Sequence, residues 1–267
     1  MRATEKVDRR TARQTIADFL SSLPVAPARA LMLDYDGTLA PLVPDRDQAF
    51  PRPGVREMLA RLVAGGRTRV AVVSGRPARD AERLLGLQPH PEIWGSHGLE
   101  RMGAAGRLVA AAPLPRPARE LLAAIRDWVS VHGWSSLYEE KPFGFALHSR
   151  GADPVVFEAA VREVLEHWRL SAETVGLEVL AFDGGVELRP AGSHKGMVVK
   201  ALLAELPAGA AVAYLGDDRT DEDAFTALGH RGLPVLVRDE WRPTAAHVWL
   251  KPEELLPFLA AWERAIS

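Results

Sequence analysis

The 267-residue chain contains no cysteine. That absence excludes a disulfide scaffold, a thiolate zinc site, an iron–sulfur cluster and a cysteine nucleophile. An excess of either charge is also missing: 33 Lys and Arg face 35 Asp and Glu, a formal net charge of −2. Such balance supplies no global attraction to nucleic acid or to an anionic membrane surface. No run approaches the roughly 18 apolar residues of a membrane span. The charged start MRATEKVDRRTARQ has no apolar core of the secretory kind. The expectation is a cytoplasmic, monomeric protein with no nucleic-acid and no membrane partner. Its hydrophobic content of 47% is that of a folded chain, and its length suits one large domain or two modest ones.

Continuous apolar runs at residues 30–34, 69–74, 211–216 and 234–237 read as strands buried on both faces, as in a parallel sheet. Between the first two, Val55, Met58, Leu59, Leu62 and Val63 follow helical spacing. Pro53 stands near the expected start and Gly65-Gly66 at the expected stop. Strand, helix and strand at this spacing make a βαβ unit. A further helix is expected over 220–228. The middle of the chain has a different pattern. Leu121, Leu122, Ile125, Trp128 and Val129 mark one helix, and Val156, Ala160, Val161, Val164, Leu165 and Trp168 a second. Each precedes a hairpin signal: SLYEE and FALHSR around KPFG, then LEVLAF and VELRP around DGG. The predicted fold is therefore α/β: a discontinuous parallel-sheet core over residues 1–114 and 191–267, interrupted by an α+β insert over 115–190. In that insert two helices cover a four-stranded antiparallel sheet. The seven Trp residues do not cluster along the sequence; Trp128 and Trp168 lie on apolar helix faces and read as core.

Two acidic clusters follow buried strands. Asp34-Tyr35-Asp36-Gly37-Thr38 places carboxylates at i and i+2, and Gly37 lets the chain turn away. Ligands of open α/β sheets sit outside the carboxyl ends of the strands. Asp217, Asp218 and Asp221 follow the strand at 211–216 at a helix start. An acid-rich helix cap accounts for one or two of these carboxylates. Two such clusters at neighbouring strand ends would repel unless a cation lay between them, and a hard divalent ion, most simply Mg²⁺, meets that need. Ser74-Gly75-Arg76 follows another strand and offers a hydroxyl and backbone N–H groups to a phosphate oxygen. Lys195, in SHKG, opens the helix before the strand at 211–216 and would offset negative charge.

Asp34-x-Asp36-Gly37-Thr38, Ser74-Gly75-Arg76, Lys195 and Gly216-Asp217-Asp218…Asp221, in this order, resemble the four motifs of the haloacid dehalogenase-type phosphatases. GSHGLE (95–100), EEKPFGFALHSR, GVELRPAGSHKG and GDDRTDEDAF are similar, more narrowly, to the trehalose-6-phosphate phosphatase family. The resemblance runs from about residue 30 to 236. It implies a Rossmann-like core with an inserted cap, and a Mg²⁺-dependent hydrolysis of a sugar phosphate. Asp34 would be the nucleophile, forming an aspartyl-phosphate, and Asp36 the acid and base. The ion would be held by Asp34, the carbonyl of Asp36, and Asp217, with Asp218 or Asp221 beside them. Ser74 and Lys195 would bind the transferring phosphoryl group. Thr38, Gly75, Arg76 and His97 are expected on the substrate as well. Carried onto the insert, the resemblance assigns the sugar to Glu139, Lys141, His148, Arg150 and Glu187. Glu140, alternating away from Glu139 and Lys141, reads as solvated. The chain departs from the family at Ser149, where an aromatic residue is common.

Trehalose 6-phosphate is the first reading of the substrate. Sucrose, glucosylglycerol and mannosylglycerate phosphates keep the chemistry and change the sugar. A non-catalytic phosphosugar sensor, or a phospho-accepting switch, is the alternative outside enzymology. A receiver-type switch has no use for a second acid two residues after the acceptor, or for a sugar-sized insert.

Overall fold

The computed structural model describes residues 9–149, 152–182 and 184–267; Arg150 lies outside them. The first part of the chain runs α1 (Arg9–Ser22), β1 (Arg29–Asp34), α2 (Val55–Gly65), β2 (Arg69–Val73), α3 (Ala78–Leu85), β3 (Glu92–Gly95), β4 (Glu100–Met102) and β5 (Leu108–Ala110). The middle holds α4 (Arg116–Val131), β6 (Tyr138–Lys141), β7 (Gly144–His148), α5 (Pro154–Thr174), β8 (Leu177–Phe182) and β9 (Gly185–Pro190). The last part holds α6 (Lys195–Ala204), β10 (Ala211–Gly216), α7 (Glu222–Leu228), β11 (Leu233–Val237), β12 (Val248–Leu250) and α8 (Leu255–Ala265). Two compact units result. One is built from the chain up to Val109 and from His194 onward, the other from Ala110–Ser193. No described helix is long and apolar enough to cross a membrane.

In the first unit an eight-stranded sheet has the order β12-β11-β10-β1-β2-β3-β4-β5. Its strands from β12 to β3 are parallel, and β4 runs against β3. Burial on both faces explains the near-continuous apolar runs. Leu31 and Leu33 of β1 enter the core formed with α2 and α8, whereas Ala30 and Met32 enter the one formed with α6 and α7. From β1 the chain winds one way to β2 and β3; from β10 it winds the other way to β11 and β12. The boundary between β1 and β10 is thus a topological switch point, where the chain leaves the two strands in opposite directions and a crevice opens at their carboxyl ends. α2 runs through Gly65 and stops at Gly66, whose φ of +63° ends the helix.

The second unit is a four-stranded antiparallel sheet in the order β6-β7-β9-β8. Phe145, Leu147, Val186 and Leu188 pack on one face with Ala118, Ile125 and Val129 of α4 and Ala160 and Val164 of α5. Three of the seven tryptophans, unclustered along the sequence, meet here. The Trp128 ring lies 5.4 Å from Trp134 and 6.0 Å from Trp168, because the turn after α4 folds back and α5 passes alongside. Trp134 lies outside any helical pattern, so periodicity had no means of bringing it to the other two.

Candidate active site

β1, β10 and β2 are adjacent and parallel, so their carboxyl ends deliver Asp34, Asp217 and Ser74 to one edge. Alternation puts Asp34 and Asp36 on one side of the extended chain, with Tyr35 between them turned into the core, its hydroxyl donating to the Ala49 carbonyl at 2.7 Å. The chain then reverses: Gly37 N–H donates to Ala40 O at 2.8 Å and Ala40 N–H to Tyr35 O at 2.9 Å. Gly37 has a φ of +85°, and a Cβ there would lie 2.0 Å from Asp217 Oδ2. Only glycine permits both the turn and the approach of the second acidic strand end. Arg52 supports the reversal, donating to the Thr38 carbonyl at 3.1 Å and the Gly37 carbonyl at 2.9 Å.

Carboxylate oxygens of Asp34, Asp217 and Asp221 lie within 4.8 Å of one another, all three residues buried. The buried Lys195 Nζ joins two of them, at 2.6 Å from Asp34 Oδ1 and 2.8 Å from Asp221 Oδ1. Asp221 is the organising member. Its Oδ1 also accepts from Tyr214 Oη at 2.6 Å, and its Oδ2 accepts the backbone N–H groups of Asp217 and Asp218 at 3.1 and 3.0 Å. It thereby holds the loop after β10 and fixes the lysine. Thr38 Oγ1 reaches Asp217 Oδ1 at 3.4 Å.

Burial, then the charge of Asp221, pushes the Asp34 carboxyl up from its ordinary 3.8 to about 7, against the pull of Lys195. Burial and the charges of Asp34 and Asp221 push Asp217 well above the carboxylate range. For Lys195 burial opposes the charge, but Asp221 and Asp34 outweigh it and raise the ammonium above its ordinary value, so it stays charged. Tyr214 is raised by burial and by Asp221, and so remains a hydrogen-bond donor. Three buried carboxylates with one lysine leave the site two charges short of neutrality when ionised. A hard oxygen donor set carrying that deficit suits a divalent cation.

Asp36 and Asp218 stand outside the three-carboxylate cluster. Arg76 grips Asp36 with two bonds, Nε to Oδ2 at 2.7 Å and Nη2 to Oδ1 at 2.6 Å. Arg76, expected on substrate, is thus turned to the second acid of the Asp34-x-Asp36 motif. Asp218 instead caps the turn before α7, accepting from Arg219 N–H at 2.6 Å. Ser74 Oγ accepts from Arg76 N–H at 3.0 Å. His97 comes back to the same loop: its N–H donates to Ser74 O at 3.0 Å, and a Cβ on Gly75 would lie 2.7 Å from its ring. Ser96 and His97 both have positive φ, 48° and 56°. Glu100 fastens this turn, accepting from Ser96 Oγ at 2.9 Å and from Ala78 N–H at 2.8 Å. Backbone strain of this kind persists only where surrounding bonds over-determine it, and gathers at ligand sites.

Reading the motifs missed Tyr214, Arg52 and the Arg242–Glu222 pair. Arg242 Nη2 donates to the Asp218 carbonyl at 2.8 Å while Glu222 accepts from Arg242, Thr244 and the Ala245 N–H. The signal for Tyr214 was present: a lone polar tip inside the otherwise apolar AVAYLG.

In the second unit, residues opposed across the ladders share a face. Glu139, Ala146, Glu187 and Leu180 form one row; Lys141 and Gly144 lie to one side of it, His148, Gly185 and Phe182 to the other. These residues lie on the face away from the helices. Lys141 Nζ pairs with Glu187 at 3.0 Å, His148 with Glu139, and Arg189 with Glu178 at 3.2 Å. The four described residues expected at the sugar therefore contact one another in two pairs on one face, the Lys141–Glu187 ion pair and the His148–Glu139 contact. Glu140 points the other way and lies 4.0 Å from Arg126 of α4.

The doubly wound sheet, with a β1 aspartate facing a buried lysine and two acids after β10, has the fold of the haloacid dehalogenase-like hydrolases. A protein so described from Bacteroides thetaiotaomicron, 16% identical, superposes with a TM-score of 0.62 over 89% of this chain and 99% of its own. The chain belongs to the trehalose-phosphatase family, whose model matches residues 32–248. The trehalose-phosphate phosphatase of Mycobacterium tuberculosis is 39% identical over 241 residues, covering 83% of this chain and 58% of its own. The chain thus spans little more than half the length of that relative. The C-terminal domain of C. albicans trehalose-6-phosphate phosphatase, 24% identical, superposes with a TM-score of 0.78 over 92% of this chain and 96% of its own.

Proposed function

We propose that this chain hydrolyses trehalose 6-phosphate to trehalose and inorganic phosphate. The observation that carries the chemistry is Lys195 held at 2.6 Å from Asp34 at the switch point, with Asp217 beside them; the family and the named relatives supply the sugar. Asp34 attacks phosphorus, the bond to the sugar oxygen breaks, and Asp36 gives that oxygen its proton. Asp36, now a carboxylate, takes a proton from water whose oxygen displaces Asp34 from phosphorus. Arg76 fixes the orientation of Asp36 and leaves each carboxylate oxygen a second lone pair for the proton. Lys195 and Ser74 face the equatorial phosphoryl oxygens, as positioning and charge stabilisation require. Asp34 and Asp217 would hold Mg²⁺, since the lone pairs of Asp221 are committed to Lys195, Tyr214 and two backbone groups. The ion supplies charge neutralisation for the carboxylates and the phosphoryl group. Glu139, Lys141, His148 and Glu187 take the sugar hydroxyls, exchanging their mutual contacts for them. The domain division at 1–114, 115–190 and 191–267 then separates chemistry from recognition, and such a protein works in the cytoplasm on a small-molecule partner.

A phosphate-release screen over sugar phosphates tests this reading. Trehalose 6-phosphate is expected to have the highest kcat/KM in the panel, with turnover lost in EDTA and restored by Mg²⁺. Release from none of the panel, or release surviving exhaustive chelation, contradicts it. Gly37→Ala is expected to lower kcat about a hundredfold by displacing Asp217, since misplacement by about 1 Å has that effect. Steady-state kinetics at saturating Mg²⁺ reads the loss; wild-type turnover would remove Asp217 from the machinery.

A further inference from the structure

On the charged face of the second unit two described apolar side chains, Leu180 and Phe182, stand outside the hydrophobic cores, and Phe182 is the aromatic one. Phe182, half-buried, belongs to none of the three hydrophobic cores. Its ring lies across Gly185, where a Cβ would come within 2.5 Å of Cζ, and its edge meets the His148 ring at 5.3 Å and 63°. In the adjoining row Ala146 and Glu187 stand side by side on β7 and β9. Ala146 is fully covered and Glu187, paired with Lys141, is 5% exposed, while Phe182 and His148 keep part of their surface at one end of the face. A pyranose ring presents hydroxyls at its rim and C–H bonds on its flat sides. A part-exposed aromatic ring against an imidazole, with the Glu139 and Glu187 carboxylates in the adjoining row, matches both.

We infer that Phe182 is the platform on which a pyranose ring of the substrate lies, a specificity-determining residue alongside the charged pairs. The inference rests on the reading of this face as the sugar site. Ring stacking supplies dispersion and orients the sugar, so its hydroxyls meet Glu187 and His148 in one register. Gly185 is required by the ladder itself, since a Cβ there would lie 2.2 Å from the Leu147 carbonyl oxygen, and the Phe182 ring covers the space this leaves.

The test compares trehalose 6-phosphate with p-nitrophenyl phosphate, which has no pyranose. In Phe182→Leu, which keeps apolar bulk and loses the flat face, the ratio of the two kcat/KM values is expected to fall about three- to tenfold, the range of an aromatic pair. The fall is carried by KM for trehalose 6-phosphate, and Phe182→Tyr restores the ratio to within about twofold. An unchanged ratio in Phe182→Leu, whether through intact kinetics or equal losses on both substrates, overturns the platform. Glu187→Gln separates the two levels of the argument. A lowered ratio in Glu187→Gln beside an unchanged one in Phe182→Leu overturns the platform alone. Unchanged ratios in both overturn the sugar face and the platform with it.

Discussion

Replacing Asp34 with asparagine is expected to abolish phosphate release and yet to raise the thermal midpoint of the metal-free protein above pH 7. Loss of a nucleophile removes turnover by about four orders of magnitude or more. The stability gain follows from the environment of the carboxyl. Burial and Asp221 raise it from 3.8 to about 7 in the folded chain. Between those values the folded protein binds the proton that the unfolded chain has released. Wild-type stability therefore falls as pH rises through this window and levels off above it. Asparagine has no charge to desolvate, so the gap between variant and wild type opens from pH 4 to 7 and is full at pH 8. Mg²⁺, which neutralises the carboxylates, closes the gap by stabilising wild type more than the variant. Scanning calorimetry of both proteins at pH 5 and 8, with EDTA and with Mg²⁺, reads all of this. A variant less stable than wild type at pH 8 in EDTA would contradict it.

Lys195→Met is expected to act in the opposite sense on stability while also removing turnover. The ammonium sits between Asp34 and Asp221, at 2.6 and 2.8 Å, and all three residues are buried. Methionine of similar length leaves two buried carboxylates facing each other without a counter-charge. Breaking such a pair on one side costs about 3–5 kcal/mol. The loss is greatest above pH 7 and shrinks in acid, where Asp34, already raised by burial, takes up its proton and the repulsion disappears. Adding Asp34→Asn to Lys195→Met should recover part of the loss, a coupling that independent sites would not show. Urea denaturation at pH 5.5 and 8 checks both statements; a loss that is small or insensitive to pH would remove Lys195 from its place as counter-ion.

Both effects have one origin, the crowding of like charge at a switch point. Carboxylates crowded to receive the proposed dianion and divalent cation are a strain in their absence, and stability is what the site gives up. The hydrogen bonds of Asp221 make that strain tolerable. They hold the lysine and the β10 loop in place whether or not the other two acids are ionised.

Strands of the parallel sheet were legible because burial on both faces demands unbroken apolar runs, as in ALMLD and AVAYLG. The two hairpins were legible from turn residues and alternation. Asp34, Asp36, Ser74, Lys195 and Asp217 were legible because each directly follows a strand or opens a helix, where local order already determines position. Other features were closed to such reading. Trp134 meets Trp128 only through a turn after α4, and Arg52 reaches the Gly37 carbonyl only because the chain folds back on itself.

What the sequence by itself determined was which residues stand at strand ends, and hence that two acidic clusters and a lysine share one edge of an α/β sheet. Periodicity and turn chemistry are local, and they act over the few residues that spacing can describe. What only the tertiary structure decided was the division of labour among the acids. Asp221 became the anchor of Lys195 and Tyr214, Asp36 the partner of Arg76, and Asp218 a cap, while Phe182 was laid over Gly185 beside His148. Those choices turn on hydrogen-bond directions and ring contacts, several of them between segments 26 to 40 residues apart in the chain. Such contacts exist only once the hydrophobic cores have closed.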